Sequence, residues 1–375
     1  MEPAKPQADR WIAERSLAIE MSGVRRVFEL ARSLKDPVNL SIGQPHFLVP
    51  QSVREAAKAA IDAGHNGYTV TQGIDELRTK IKAWVDRQFG HSDRDVIITG
   101  GTSGALVLAL MATVNPGDEV ILFDPYFVAY PYMITLAAGV PVLVHTYPDF
   151  TIDVDRVAAA ITPRTKAIIF NSPANPSGAV QSTEVVRDLA RLAERRGVLL
   201  ISDEMYRAFN YEQTHVSPAT YNEQTLVVDG FGKTYGVTGW RLGYVHGPPV
   251  LLEQLAKLQQ FTFVCPPAPA QHAGLAAWDY DVSEIVADYR RKRDRLMAGL
   301  AGRFEFVKPR GAFYLFPKVP WGNGSEFVAE AIRNNMLVIP GNTFSRLDTH
   351  FRISYAADDA VLDRGIEILN RLARR

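Results

Sequence analysis

The sequence predicts an α/β fold whose core is a mainly parallel sheet covered by helices on both faces. Two observations predict it: short runs with the composition of β-strands recur through the middle of the chain, and helical stretches separate them. In such sheets, ligands gather beyond the carboxyl ends of the strands. The runs are Val96–Thr99, Glu119–Phe123, Val142–His145, Lys166–Phe170, Val198–Ser202 and Leu226–Asp229.

One of the intervening helices can be read in detail from the sequence. Ser182 is suited to cap its start, Glu184 falls in its first turn, and Gly197 is suited to end it. The helix leads directly into the run that begins at Val198. Its apolar residues recur on one face at Val185, Val186, Leu189 and Leu192.

The length of 375 residues exceeds what one hydrophobic core normally serves. We expect a large domain at residues 45–275 and a smaller α+β domain at 276–375, with the N-terminal segment 1–44 packing against the smaller one. The boundary follows a proline-rich link after Cys265 and precedes a charged helix from Val282 to Leu300. Two domains imply a cleft between them.

Charge and composition exclude several classes of function. The chain has 41 basic and 41 acidic side chains with no long block of either sign, so we expect neither nucleic acid nor a membrane as a partner. The apolar stretch from Gly104 to Val114 is too short to cross a bilayer. Cys265 is the only cysteine, which suggests a reducing, cytoplasmic compartment, and the scattered histidines predict no metal site.

Lys233 is the strongest candidate for chemistry. It follows a predicted strand end within Asp229–Gly243, and desolvation in a cleft lowers the pKa of an amine and makes it a nucleophile toward an aldehyde. A nucleotide P-loop is a rival interpretation of Gly232-Lys233-Thr234, but Val227 stands where that motif needs its first glycine. A surface lysine in a glycine-rich turn stays open as an alternative.

Asp203 ends the apolar run that begins at Val198, and an unpaired carboxylate there would be costly to bury. A protonated pyridine nitrogen is a suitable cationic partner, because pairing keeps such a ring able to accept electrons from a substrate carbanion. Tyr206, three residues later, is placed to hydrogen-bond a phenolic oxygen on the same ring. The alternative for Asp203-Glu204 is an acidic helix start.

A phosphate site is predicted at Gly100–Leu106, which follows a strand and opens an apolar helix. Free backbone N–H groups and the hydroxyls of Thr102 and Ser103 would face an anion there. Arg241 is a candidate for a second, forked contact. A tight glycine turn with a hydroxyl cap is the structural alternative.

Three further residues are candidates on weaker grounds. Asn175 lies in the turn-rich loop Asn171–Gly178, whose alternative is two successive proline turns. Phe127 is as consistent with a core position as with stacking on a ring. Arg352 alternates with apolar neighbours as in a half-buried strand, where it needs an anion, either a structural acid or a substrate carboxylate.

Taken in order, these stretches resemble the class I/II aminotransferases of the aspartate aminotransferase superfamily, the fold type I pyridoxal-phosphate enzymes. The resemblance covers nearly the whole chain. Its most specific parts are Asn-Pro-Ser-Gly at Asn175–Gly178, Asp-Glu-Met-Tyr at Asp203–Tyr206, Gly-Lys followed by Gly-x-Arg-x-Gly through Gly243, and Phe351-Arg352.

The resemblance implies a seven-stranded sheet, the cofactor pyridoxal 5′-phosphate, and transfer of an amino group between an amino acid and a 2-oxo acid. It also implies a role for each candidate residue. Lys233 would form the Schiff base and Asp203 would pair with the pyridine nitrogen. Tyr206 and Asn175 would hold the ring oxygen, Phe127 would stack on the ring, Thr102, Ser103 and Arg241 would bind the phosphate, and Gly43 and Arg352 would meet the substrate carboxylate.

Tyr68 is implied to reach the phosphate of a neighbouring subunit, so a homodimer is expected. The chain departs from the family pattern at Gly230 and Gly232, where serines are usual, and at His46, where an acidic residue is common. Two alternatives stay open: a C–S β-lyase or another enzyme of the same fold, and a non-catalytic pyridoxal-phosphate-binding regulatory protein.

Overall fold

The structure is a computed structural model that describes residues 10–20, 23, 34–90 and 93–374. Its strands are β1 Val38–Asn39, β2 Asp95–Thr99, β3 Glu119–Asp124, β4 Val140–His145, β5 Thr165–Asn171, β6 Leu199–Asp203, β7 Leu226–Gly230, β8 Gly243–Gly247, β9 Tyr314–Leu315, β10 Met336–Leu337, β11 Ile339–Pro340 and β12 Phe351–Ser354. Its α-helices are α1 Glu14–Leu17, α2 Gln51–Asp62, α3 Asp75–Phe89, α4 Gly101–Thr113, α5 Tyr130–Leu136, α6 Val154–Ala160, α7 Thr183–Arg196, α8 Phe231–Thr234, α9 Pro249–Thr262, α10 Ala268–Trp278, α11 Ser283–Leu300, α12 Gly324–Arg333 and α13 Asp359–Leu372.

A seven-stranded sheet forms the centre of the fold, in the order β2-β8-β7-β6-β5-β3-β4. The strands from β7 to β4 pair in parallel, whereas β8 runs antiparallel to both of its neighbours. The mainly parallel α/β fold is therefore confirmed. The six predicted runs correspond to β2 through β7, and β8 is the strand that the sequence pattern missed.

Local signals placed the helices that lead into this sheet. Ser182 caps α7 by accepting a hydrogen bond from the backbone N–H of Val185 at 3.3 Å, and Gly197 ends it with a φ of 63°, as predicted. The charged helix predicted from Val282 is α11, which begins at Ser283. Sequence capping signals thus located these ends to within about one residue.

The stretch after Cys265 is not only a link, as the sequence suggested. It opens α10, with Pro267 at the N-cap and Pro269 in the first turn. A proline in the first helical turn sacrifices no hydrogen bond, because the first N–H groups of a helix have no partner within it. The prolines therefore begin a helix at this position.

The C-terminal part of the chain has its own small sheet, in the order β11-β12-β9, and a hydrophobic cluster that includes Phe313, Phe327 and Phe351. Val38 and Leu40 belong to the same cluster, and β1 pairs in parallel with β10. These contacts are consistent with the predicted packing of segment 1–44, although parts of that segment lie outside the described residues. The domain boundaries at 45–275 and 276–375 stay a prediction.

Candidate active site

A cavity of about 320 Å³ opens beyond the carboxyl ends of the central strands, within the range of roughly 300–1,000 Å³ that small-molecule sites occupy. Its walls come from β6, from the starts of α4 and α8, and from β12 of the C-terminal part. It brings together ten of the residues singled out in the sequence: Gly43, Thr102, Ser103, Phe127, Asn175, Asp203, Tyr206, Lys233, Arg241 and Arg352. Tyr68 does not line it.

Lys233 lies on the short helix α8, directly after β7. Its amine donates a hydrogen bond to the backbone carbonyl of Gly43. The pKa of Lys233 is lowered to about 8, and burial is the largest cause. The charges of Arg352 and Arg241 also lower this pKa, whereas the charge of Asp203 raises it. Roughly a tenth of such amines are neutral at pH 7, which makes Lys233 a nucleophile and a base under mild conditions.

Asp203 is the last residue of β6, and its side chain is buried. Tyr130 donates a hydrogen bond to one carboxylate oxygen at 2.7 Å, and the backbone N–H of Met205 donates to the other at 3.2 Å. Burial nevertheless raises the pKa of Asp203 to about 6. The two neutral donors therefore satisfy the carboxylate only in part, and a cation would stabilise its charged form.

Tyr130 was missed by the sequence analysis, although it stands three residues after Phe127 and begins α5. This spacing places residues on the same face of a helix, but Phe127 precedes α5, so helical periodicity did not reveal Tyr130. The rings of Phe127 and Tyr130 meet edge to face with centroids 5.4 Å apart. Phe127 thus lines the cavity beside the tyrosine that contacts Asp203.

Tyr206 also lines the cavity, where its hydroxyl lies 2.8 Å from the hydroxyl of Tyr314. Burial raises the pKa of Tyr206 well above its ordinary value, so the side chain is a neutral hydrogen-bond donor. The sequence analysis missed Tyr314. It lies on β9 in the C-terminal part, and no spacing in the sequence connects it with Tyr206.

Arg352 lies on β12 and is 3% exposed, more deeply buried than the half-buried strand predicted for it. It donates to the side-chain oxygen of Asn175 at 3.0 Å and to the carbonyl of Ser41 at 2.7 Å. The guanidinium lies 4.6 Å from the ring centres of both Tyr314 and Phe344. Its Nε has no hydrogen-bond partner among the described residues.

All of these Arg352 partners are neutral, and burial lowers the pKa of this arginine. A buried guanidinium without an anion is unfavourable. The geometry therefore provides a fork that an incoming carboxylate can complete.

The start of α4 forms the opposite end of the cavity. Among the described residues, no side chain caps this helix, so its first N–H groups remain available. Arg241 approaches it so closely that a Cβ on Gly101 would lie 2.5 Å from Nη2, and Gly101 has a φ of 75°. The hydrogen bonds of Arg241 go to the backbone carbonyls of Thr238 and Gly100. Thr102 and Ser103 line the same end of the cavity.

The glycines that replace the usual serines differ in their surroundings. A Cβ on Gly230 would lie 3.1 Å from Cα of Gly243 and 3.2 Å from the side chain of Thr102, so this position has little room for a serine. A Cβ on Gly232 would meet nothing closer than 3.4 Å, which is ordinary van der Waals contact. The close approach of β7, β8 and α4 therefore makes Gly230 a tight position for a larger residue.

His46 lies outside the cavity. Its Nδ1 is 3.1 Å from the hydroxyl of Tyr289 and its Nε2 is 3.8 Å from the carboxylate of Asp288 on α11. Burial lowers the pKa of His46. The side chain is thus engaged with the C-terminal part and not with the cavity.

Tyr68 lies on the surface and is 86% exposed, and Phe261 is exposed to the same extent. Among the described residues, no helix has both the length and the apolar character that crossing a membrane requires. The same residues contain no group of three or more histidine, cysteine, aspartate or glutamate side chains suited to hold a metal ion.

Comparison with known proteins agrees with this architecture. The family model for aminotransferase class I and II matches residues 35–369. A probable aspartate aminotransferase of Methanocaldococcus jannaschii is 36% identical, over 96% of this chain and 99% of that protein. The aspartate/prephenate aminotransferase of Thermus thermophilus is 38% identical, over 93% of this chain and 94% of that protein. The solved structure of Thermus thermophilus aspartate aminotransferase with maleate superposes with a TM-score of 0.91 at 35% identity, covering 96% of this chain and 99% of that one.

The buried charge of Asp203 predicts a pH-dependent cost in the protein without ligand. The pKa of Asp203 is about 6 when folded, against an ordinary value of 3.8. The protonated carboxyl therefore contributes stability below about pH 4, and this is lost as the pH rises through about 6. Asp203→Asn should leave stability unchanged at pH 4 and raise it by about 3 kcal/mol at pH 8.

Thermal or denaturant unfolding of the ligand-free protein across this pH range measures the difference. A difference between the two proteins that stays constant with pH, or that favours the unmodified protein at pH 8, would show that Asp203 carries no such cost.

Proposed function

This chain belongs to the class I and II aminotransferase family, and we propose that it binds pyridoxal 5′-phosphate between the Lys233 amine and the Asp203 carboxylate. As an aminotransferase it moves an amino group between an L-amino acid and a 2-oxo acid, chemistry for which this family uses that cofactor. The observation that carries the proposal is that one cavity is lined by an amine of lowered pKa and by a buried carboxylate that no cationic side chain of the described residues neutralises within hydrogen-bonding distance.

Three features of the cavity fit this cofactor. The uncapped start of α4 and the forked side chain of Arg241 suit a dianionic phosphate. The carboxylate of Asp203, whose pKa burial raises to about 6, suits a protonated ring nitrogen. The amine of Lys233 suits an aldehyde. These groups lie at one cavity of about 320 Å³.

Lys233 has two roles in the proposed reaction. When bound, the cofactor supplies an aldehyde carbon and an electron-withdrawing ring. The neutral amine of Lys233 would hold the cofactor at that aldehyde carbon, with loss of water. When a substrate amine occupies this position instead, Lys233 would act as the base that accepts the α-proton of the substrate and later releases it. Its lowered pKa, about 8, allows both the acceptance and the release of a proton.

Asp203 would hold the ring nitrogen of the cofactor in its protonated form, and Tyr130 and the N–H of Met205 orient the carboxylate for this role. We assign Tyr206 and Asn175 to the ring oxygen and Phe127 to stacking on the ring. The positions of all three side chains in the cavity lining support these roles. Thr102 and Ser103, at the start of α4, are assigned to the phosphate together with Arg241.

Arg352 is assigned to the α-carboxylate of the substrate, with Gly43 nearby in the same lining. The support is that its guanidinium is buried, that its hydrogen-bonded partners are neutral, and that Nε lacks a partner among the described residues. A bidentate carboxylate would complete the fork and fix the α-carbon next to Lys233.

We propose a homodimer in which Tyr68 reaches the phosphate site of the partner subunit. The support is that Tyr68 and Phe261 are each 86% exposed and Val70 is 58% exposed, so large apolar residues are available to a partner subunit. A cytoplasmic location is proposed on the single cysteine, Cys265.

The relatives favour transamination over the two alternatives left open by the sequence. They are named as aminotransferases and match over nearly their whole length.

Removal of the amine tests the assignment of Lys233. Lys233→Ala should lose the visible absorbance of the cofactor-bound protein and should lose transamination by several orders of magnitude, because the base and the covalent bond disappear together. The assay measures 2-oxo acid formed from a panel of amino donors, beginning with aspartate, with 2-oxoglutarate as acceptor. An unchanged spectrum and rate in this variant would refute the assignment.

Arg352→Met tests the carboxylate site. The value of kcat/KM for amino acid donors should fall by on the order of a hundredfold, because loss of a buried, hydrogen-bonded charge pair costs about 2–5 kcal/mol. The slow reaction with the corresponding primary amines, which lack the carboxylate, should change by less than about threefold. An equal loss for amino acids and amines would contradict the role.

Mixed dimers test whether Tyr68 acts across the interface. Tyr68→Ala should bind the cofactor more weakly, and Lys233→Ala should be inactive. A dimer with one subunit of each kind has one intact site only if Tyr68 serves the cofactor of the partner subunit. The two variants are co-expressed with different tags, and the hybrid is purified. Its activity should then exceed that of either variant alone. Failure to regain activity, with a stable hybrid in hand, would place Tyr68 in its own subunit's site or in none.

A further inference from the structure

A partly buried ion pair connects the two segments that carry Asp203 and Lys233. Arg207 comes four residues after Asp203, and Asp229 comes four residues before Lys233. Nε of Arg207 donates to a carboxylate oxygen of Asp229 at 2.5 Å. Asp229 is buried, and the guanidinium of Arg207 lies 4.4 Å from the ring centre of Trp84. Neither charged residue lines the cavity.

The pair is part of a clamp across three neighbouring strands. Tyr244 on β8 donates to the same carboxylate at 2.8 Å and accepts from Nη2 of Arg207 at 3.3 Å. The other carboxylate oxygen accepts from the N–H of Gly230 at 2.6 Å. The clamp therefore joins three segments: the turn after β6, the end of β7, and β8. These segments carry or adjoin Asp203 and Lys233, so the clamp helps to hold the Asp203 carboxylate and the Lys233 amine in place at the cavity.

The clamp also has an electrostatic consequence. Asp203 and Asp229 sit at the ends of adjacent parallel strands, where Asp203 pairs with Val228 in register. Burial is the largest cause of the raised pKa of Asp203, and the hydrogen bonds from Tyr130 and Met205 lower this pKa. The negative charges of Asp229 and Glu204 raise it as well. Lys233 is the amine at the same cavity. Glu204 has its own partners in Ser202, His215 and Ser217.

Burial raises the pKa of Asp229 and Arg207 lowers it, so Arg207 holds this carboxylate as half of a neutral pair. Without Arg207, the buried carboxyls of Asp203 and Asp229 would compete for one proton, because two buried like charges disfavour each other. A protonated Asp203 can no longer stabilise a protonated ring nitrogen.

We propose that Arg207 is a positioning residue: its ion pair with Asp229 keeps the Asp203 carboxylate charged and aligned against the ring nitrogen of the cofactor. The inference rests on the proposed function. Nothing in it requires Arg207 or Asp229 to touch cofactor or substrate.

The test compares two ligands at pH 7. One is pyridoxal 5′-phosphate, and the other is its analogue with C–H in place of the ring nitrogen, which cannot pair with Asp203. Arg207→Met should weaken binding of the cofactor by about tenfold, equivalent to about one pKa unit, and should leave binding of the analogue within about twofold. The double variant Arg207→Met/Asp229→Asn removes both charges and should restore cofactor binding to within about threefold.

Two further variants separate this role from a structural one. Arg207→Lys keeps the charge and should retain cofactor affinity, which also covers the case in which Arg207→Met does not fold. Arg293→Met is the matched control, because Arg293 is buried, pairs with Glu212 at 3.3 Å and lies 5.1 Å from the ring centre of Tyr211, away from the cavity. It should lower the melting temperature and leave both affinities unchanged.

Equal weakening of both ligands by Arg207→Met, or a loss of cofactor affinity that persists in the double variant, would overturn the proposal. A wild-type protein that binds the analogue as tightly as the cofactor would instead refute the role of Asp203 in the proposed function. The comparison therefore separates the two claims.

Discussion

A carboxylate buried at the end of an apolar strand is stable in its charged form only where a cation or several hydrogen-bond donors meet it. Asp203 is in this situation, and the neutral donors Tyr130 and Met205 leave its pKa at about 6. At the same cavity, burial holds the pKa of Lys233 at about 8. In the ligand-free protein, burial therefore disfavours the charged form of both groups. A protonated ring would stabilise the Asp203 carboxylate, and an aldehyde on the same ring would bond to the neutral Lys233 amine. Burial of the two groups thus favours binding of such a ring.

The fold creates this arrangement with elements distant in sequence. β6 and β7 are adjacent and parallel, so the residues that follow them emerge at one edge of the sheet. The C-terminal part then adds Arg352 from β12. The cavity thereby has three basic side chains, Lys233, Arg241 and Arg352, against the carboxylate of Asp203. This excess of positive charge suits a phosphate at one end and a substrate carboxylate at the other.

The sequence predicted those strands and site residues that local patterns encode. Periodicity and capping predicted the six runs and the capped helix α7. Nine of the ten candidate residues at the cavity were found from local sequence patterns, and Gly43 came from the family resemblance alone. The sequence analysis missed β8, because Gly243–Gly247 begins and ends with glycine and contains one β-branched residue, Val245. Tyr130 and Tyr314 escaped because their partners, Asp203 and Tyr206, are brought to them only by tertiary packing. Tyr68 differs from the other candidate residues because it is exposed and does not line the cavity, which the sequence alone does not reveal.

The protonation state of the ring nitrogen tests the central claim most directly. We would reconstitute the protein with pyridoxal 5′-phosphate whose ring nitrogen carries an NMR-active isotope and record its chemical shift at about pH 8, well above the pKa of a free pyridine. Pairing with Asp203 predicts a pyridinium shift that reverts to that of neutral pyridine in Asp203→Asn. A neutral pyridine shift in the unmodified protein would contradict the account.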